Sequence, residues 1–557
     1  MEYTRHRRLA LFRPVLLTAV TLATIATGTG SPALAEPTRN APLPQAPATA
    51  VPARFLDQVI DWRPCDSAPP DPGKAKLECG KVAVPKDWAD SEQLAEITMA
   101  VSRLRPLEGS PVRTVFVNPG GPGAPGLDMP LWFQLTGRQR LLDNVELIGF
   151  DVRGTGQSTT VRCDGHGFVR DDVDPRNRST ENLSLLVDAS VGMAQGCQEA
   201  SRELGRYITT EQTVRDLDLL RQLLGRNKIS WIGYSGGTWT GAYYATYFRS
   251  HVDKFVFDSN VDFTDSMQGA FLRQPRGFER RFRSDFLPWV AQHANVYGLG
   301  TTAEEVRAEY ERIRASLAAH PVDLGDGFLV HPNTLDYYLI VPGVYSKYSF
   351  AGLADILVYL SESTQSPSAG DMAVAAKIRS KIEAGKRGAG RGLSPVSADT
   401  LYATFWSIVC NDTPWPGGVQ FAVEESARQG ARYPLIGWNA ISDPLMCQSW
   451  NRPNVVMPAP NGVGVPPVLM VQSERDPATP IEGAERAHSR FAGSRMVRVQ
   501  NEGDHGIYAL TGNACVDTIV ESYLIDGILP AADVVCAGVP IPAPGVAASA
   551  ARNLITR

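Results

Sequence analysis

Ile229-Ser230-Trp231-Ile232-Gly233-Tyr234-Ser235-Gly236-Gly237 runs from a short apolar segment into a serine bracketed by glycines. Residues 238–248, which follow, are rich in small and aromatic side chains and read as a helix. Strand, tight glycine turn, serine, helix is the context that turns a loose G-x-S-x-G match into a nucleophile elbow. The glycines let a strained turn form without steric clash. The turn lifts the hydroxyl clear of the sheet edge, where it suits covalent acyl transfer. The plain alternative is a glycine-rich turn with a surface serine, and the flanking strand and helix weigh against it.

Working outward, residues 97–103 alternate as a strand, and Arg113–Asn118 is a short apolar strand. Val145–Phe150 is an apolar run of the kind buried on both sheet faces. Residues 210–224 carry Val214, Leu217, Leu220 and Leu224 at helical spacing, and 254–258 read as the strand after the elbow helix. This alternation predicts a doubly wound, mostly parallel α/β sheet. The loops after Val117, Phe150, Ile232 and Phe257 should share one edge, where such sheets bind their ligands.

Residues 263–458 break the alternation with helical patterns rich in aromatics, which predicts a helical cap inserted between two parts of the sheet domain, 54–262 and 459–557. Within the cap, 377–391 reads as an exposed, mobile connection. The sheet resumes at 468–471. Thr479 is placed to cap the next helix with Pro480 as its first residue, and 496–499 reads as the last strand.

The N-terminus has Arg5, Arg7, Arg8 and Arg13, an apolar stretch over 15–26, and Ala33-Leu34-Ala35. That is a secretory signal peptide over 1–35, its apolar run too short to span a membrane. Residues 36–53 read as a linker or pro-segment. The expected mature protein is secreted, extracellular and monomeric, with no membrane association. Losing four Arg and one Glu takes its formal charge from −5 to −8, and an acidic chain without a basic patch argues against nucleic acid.

Eight cysteines fit an oxidising compartment. Their connectivity is not fixed by sequence, but pairing sequence neighbours gives Cys65–Cys79, Cys163–Cys197, Cys410–Cys447 and Cys515–Cys536. No C-x-x-C or H-x-x-x-H spacing supports a metal. Gly121 to Gly126 matches G-x-G-x-x-G, but Pro122 and Pro125 remove amide donors a pyrophosphate would need. No cofactor is expected.

A serine needs a base, and the base an orienting acid. In the chain order of this fold both follow the serine. Beyond Asp476 only His488 and His505 remain. His488 lies mid-helix by pattern, whereas His505 sits on a glycine-flanked loop just after a strand, so His505 is the base. Asp476, directly after a strand at the same edge, is the favoured acid, with Glu474 and Asp504 as rivals. The oxyanion donors should be the backbone N–H of Gly236 and one from the loop after Arg113–Asn118, with Gly121 preferred to Gly120.

Residues 118–123 (Asn-Pro-Gly-Gly-Pro-Gly), 151–156 (Asp-Val-Arg-Gly-Thr-Gly), 233–237 and 473–480 (Ser-Glu-Arg-Asp-Pro-Ala-Thr-Pro) occur together and in order. The set resembles the secreted tripeptidyl aminopeptidase family of Streptomyces, which are α/β-hydrolase serine peptidases of the proline iminopeptidase type. The resemblance implies the triad Ser235, Asp476 and His505, supports Gly121 and Gly236, and implies release of short peptides, tripeptides foremost, from free N-termini. Relatives often carry an acid immediately before the third-pair cysteine, where this chain has Val409. Asp412 is the substitute candidate for binding the substrate amine; a helix or turn cap is the rival role. An esterase or lipase with the same triad is the first alternative, and a non-catalytic binding protein on a hydrolase fold the second.

Overall fold

Strands β1 (Arg63–Pro64), β2 (Glu78–Pro85), β3 (Glu96–Leu104), β4 (Arg113–Asn118), β5 (Val145–Phe150), β6 (Ile229–Tyr234) and β7 (Val252–Asp258) precede a long helical stretch. That stretch holds the two-residue strands β8 (Val322–Asp323) and β9 (Leu329–Val330). β10 (Leu469–Ser473), β11 (Arg495–Gln500) and β12 (Val534–Ala537) follow. The structure is a computed structural model and describes residues 51–65, 76–92, 94–166, 170–325, 327–365, 372–387 and 397–545. The expected signal peptide, the expected linker up to residue 50, and residues 388–391 of the expected mobile connection lie outside the described residues.

Ten strands form one sheet in the order β1-β2-β3-β5-β4-β6-β7-β10-β11-β12 among the described residues. β1, β2, β3 and β5 pair antiparallel, and from β5 to β12 the pairings are parallel. Side chains alternate across a strand. Val115, Val117, Ile232, Val256 and Val471 therefore pack with Phe133 and Val520 on one face. Phe116, Trp231, Phe255 and Phe257 pack with Val214, Leu217 and Trp239 on the other. Central strands covered on both sides must be apolar throughout, which is why β4, β5 and β6 read so clearly.

Three expectations need correction. The last strand of the sheet is β12, not 496–499; it is an apolar run of only four residues (Val-Val-Cys-Ala) at the sheet edge, with Cys536 alone buried, too short to mark a strand by itself. Thr479 does not cap the helix Ile481–Arg490, whose N-cap is Pro480. The carboxylate of Asp476 takes the N–H groups of Ala478 and Thr479 instead. Residues 377–387 belong to the helix Met372–Arg387. Its Ala375, Ile378 and Ile382 are buried at helical spacing, a stripe that the Lys and Arg residues around it hide in the sequence.

The stretch between β7 and β10 is divided between two cores. One apolar cluster, from Phe278 to Ile436, is built from the helices inserted there and reaches Ala478 after β10. Ala403, Trp406, Val409, Trp415, Met446 and Trp450 join the cluster of the sheet. Disulfides link Cys65 to Cys79, Cys163 to Cys197, Cys410 to Cys447 and Cys515 to Cys536. The third fastens the helix Ala398–Asp412 to the helix Ser442–Gln448.

Candidate active site

Ser235 sits between β6 and the helix Gly236–Tyr247 with φ +54° and ψ −122°, a conformation that side-chain-bearing residues rarely adopt. Such strain costs on the order of 1–3 kcal/mol and persists only where neighbours enforce it. Here the Ser235 N–H donates to the Asp258 carbonyl at 3.0 Å, and Thr238 donates its N–H to the Ser235 carbonyl at 2.9 Å. Strand and helix close so tightly that a Cβ on Gly233 would lie 2.4 Å from the Gly237 carbonyl oxygen. The Ser235 side chain faces the cleft and makes no hydrogen bond among the described residues.

The loop after β4 lies against this elbow. Gly120 has φ +95°, and a Cβ there would come within 2.3 Å of the Tyr234 carbonyl oxygen and 2.7 Å of the Gly236 nitrogen. Only glycine fits. Gly236 opens its helix, so its N–H has no intrahelical acceptor. Gly121 lines the cleft beside Ser235, and its N–H has no backbone acceptor among the described residues. The two expected oxyanion donors therefore flank the serine.

His505 and Asp476 lie side by side. His505 Nδ1 is 2.9 Å and 3.0 Å from the two Asp476 carboxylate oxygens, with both side chains almost wholly buried. Asp476 is fixed by the N–H groups of Ala478 at 3.0 Å and Thr479 at 2.8 Å. His505 is fixed by its own N–H, which donates to the Tyr345 carbonyl at 2.9 Å, and by the edge of the Tyr345 ring, 5.2 Å between centroids. That leaves Nε2 with no hydrogen bond among the described residues.

The rivals are occupied elsewhere. The Asp504 carboxylate accepts from Arg281 at 2.5 Å and from the Lys347 N–H at 2.7 Å. Glu474 accepts from the Asn501 N–H at 3.0 Å. His488 contacts Ser494 and Asp533.

Asp258, at the end of β7, links the elbow serine to the loop that carries His505. Its carbonyl holds the Ser235 N–H, and its carboxylate accepts from Ile507 N–H at 3.1 Å and Tyr508 N–H at 2.7 Å. Ser259 Oγ accepts from Gly506 N–H at 2.7 Å. Burial pushes the Asp258 carboxyl up to about 7; the two N–H groups work against that shift and Asp476 adds to it. Sequence reasoning placed the loop after Phe257 at this edge but gave Asp258 no part. Asp151, from the 151–156 motif, likewise braces the glycine–proline loop, accepting from Gly126 N–H at 2.9 Å and Leu127 N–H at 3.0 Å.

Asp412 lines neither hollow at Ser235. One carboxylate oxygen takes the Thr210 N–H at 2.8 Å and the other the Trp239 indole N–H at 3.1 Å. Burial pushes its carboxyl up to about 6. Both oxygens are committed to protein donors, so the expectation that Asp412 binds a substrate amine is corrected; it anchors a helix start to the wall residue Trp239.

Ser235 stands where two hollows meet. One, of about 510 Å³, runs past Met267, Arg273 and Pro480. The other, of about 1000 Å³, is walled by Tyr337, Tyr345, Phe405, Trp406 and Trp415 and contains Asp443. Asp443 was not singled out in the sequence, where an acid at the start of a helix looks unremarkable. No group of three or more His, Cys, Asp or Glu arranged to hold a metal occurs among the described residues.

A mostly parallel sheet with a serine at the β6 elbow, an acid after β10 and a histidine after β11 defines an α/β-hydrolase. A family model described as alpha/beta hydrolase fold matches residues 113–297, and one described as TAP-like protein matches 433–536. The chain is 32% identical to tripeptidyl aminopeptidase of Streptomyces lividans, over 88% of this chain and 89% of that one. It is 27% identical to serine protease Hip1 of Mycobacterium tuberculosis, over 86% and 91%. It is 28% identical to carboxylesterase B of the same species, over 86% and 89%. The chain belongs to the tripeptidyl aminopeptidase family of α/β-hydrolases.

Proposed function

We propose that this chain is an exported serine exopeptidase that releases short peptides, tripeptides foremost, from free N-termini. The observation that carries the reading is the buried His505–Asp476 pair on a loop that Asp258 ties to the elbow serine, with Nε2 of His505 left open. Ser235 Oγ attacks the scissile carbonyl while His505 Nε2 takes its proton, and Asp476 stabilises the resulting imidazolium. Gly236 and Gly121 N–H groups receive the oxyanion. His505 returns the proton to the leaving amine, and water then repeats the sequence on the acyl-enzyme. The S. lividans relative's name supports the tripeptide length. Four disulfides support export.

The esterase reading has a relative of its own, carboxylesterase B. The experiment that separates them compares a tripeptidyl 4-nitroanilide with a free N-terminus against a 4-nitrophenyl acyl ester. Turnover of the anilide, lost in Ser235→Ala, is the expected result. Turnover of the ester alone would replace the peptidase reading with the esterase one.

A further inference from the structure

Asp443 lines the same cleft as Ser235, yet no hydrogen-bond donor or cation pairs with its carboxylate among the described residues. It lies in the first turn of the helix Ser442–Gln448. A carboxylate gains there from the helix dipole, but a solvated first-turn position would give the same gain without desolvation. Here the surroundings are aromatic: Tyr337, Tyr345, Phe405, Trp406 and Trp415 share the hollow. The titratable groups around it are phenols: Tyr337 and Tyr345 share the hollow, and Tyr338 and Tyr402 are grouped about Tyr337. Burial alone pushes the Asp443 carboxyl up to about 7. The contrast with the other hollow is direct. The acid there, Asp262, is paired with Arg273 and Arg486.

A carboxylate placed in a partly dry site without a counter-charge is costly unless a ligand brings the charge. Aromatic walls favour the same kind of ligand, because their ring faces attract cations. Asp443 is also held in place, since the Cys410–Cys447 bridge anchors its helix to Ala398–Asp412, which packs against Gly123 of the glycine–proline loop. We propose that Asp443 binds the α-ammonium group of the substrate, and that its reach from Ser235 sets how many residues the acyl chain contains. The proposal rests on the exopeptidase reading and names the residue which makes that reading length-selective. The hollow containing Asp443 then takes the acyl side of the substrate, and the smaller hollow takes the leaving chain.

The test is steady-state kinetics of the full chain on one tripeptidyl 4-nitroanilide, with its N-terminus free or acetylated, for wild type, Asp443→Asn and Asp443→Glu. Fluorophosphonate labelling of Ser235 reports whether the triad is intact. Losing one charged hydrogen bond should raise KM for the free-amine substrate about 10- to 100-fold in Asp443→Asn, with kcat and labelling little changed. Asp443→Glu should recover most of that loss. The wild-type KM should rise as pH falls through about 7, where the carboxylate takes its proton, and Asp443→Asn should lose this dependence. Unchanged KM in Asp443→Asn, or equal loss in both variants with labelling intact, would overturn the proposal and leave the exopeptidase reading standing. A wild type that cleaves the acetylated substrate as well as the free one would overturn both.

Discussion

At the sheet end of the cleft each group around Ser235 is held by another, whereas at the helical end no side chain pairs with the Asp443 carboxylate among the described residues. The Ser235 amide is gripped by Asp258, the His505 ring by Asp476, and the loop after His505 by Asp258 and Ser259. Reaction geometry tolerates little drift, so that end is built from backbone N–H groups and buried carboxylates. Asp412 and Asp443 make the comparison sharper, because the Cys410–Cys447 bridge joins their two helices. Asp412 has both oxygens filled by protein donors. Asp443 faces open cleft. Buried polar groups are normally satisfied, so the satisfied carboxylate reads as scaffold and the unsatisfied one as half of an interaction that a ligand completes.

The largest effects should come from the sheet end. Ser235→Ala should lower kcat by about 10⁶-fold and Asp476→Asn by about 10⁴-fold, with KM little moved. Asp258→Asn tests whether the link between elbow and base matters. It keeps an oxygen that can accept from both N–H groups, as Oδ2 does, but sets an NH2 against the Ile507 N–H, so His505 should shift and kcat should fall about 100-fold. Full activity in that variant would reduce Asp258 to packing.

The two carboxylates should respond in opposite ways. Asp412→Asn should lose about 1–2 kcal/mol of stability in urea unfolding, because Asn keeps one acceptor for two buried donors and sets an NH2 against the other, with KM unchanged. Asp443→Asn should raise KM without loss of stability. The folded-state pKa of Asp443 is raised, so the wild type loses stability as pH climbs from the unfolded carboxyl range through about 7. The melting temperature of Asp443→Asn relative to wild type should therefore be unchanged near pH 4 and higher by about 1–3 °C above pH 7. A uniform difference across that range would show that Asp443 ionises no differently in the folded chain.

Much of the sheet end could be read from the sequence. β4 and β5 have the bounds their apolar runs predict, and chain order places the acid and base after the serine. What escaped was short, irregular, polar or distant. β12 is four residues long with one inward side chain, and the helix Thr180–Ser201 has an irregular apolar stripe. Asp258 looks like the polar end of a strand, and its role depends on a loop that folding brings back from Gly506 to Tyr508. Asp443 resembles any first-turn acid until folding lays its helix along the cleft that Ser235 also lines. The proposed triad rests on local signals, whereas the unfilled carboxylate is visible only through the partners it lacks among the described residues.

The central claim is that chemistry at Ser235 is measured from the substrate's charged N-terminus. Mass spectrometry of the products from one ten-residue peptide, N-terminally free and N-acetylated, tests it most directly. The account predicts an N-terminal tripeptide from the free peptide and no cleavage of the acetylated one. The same internal cuts in both peptides would contradict it.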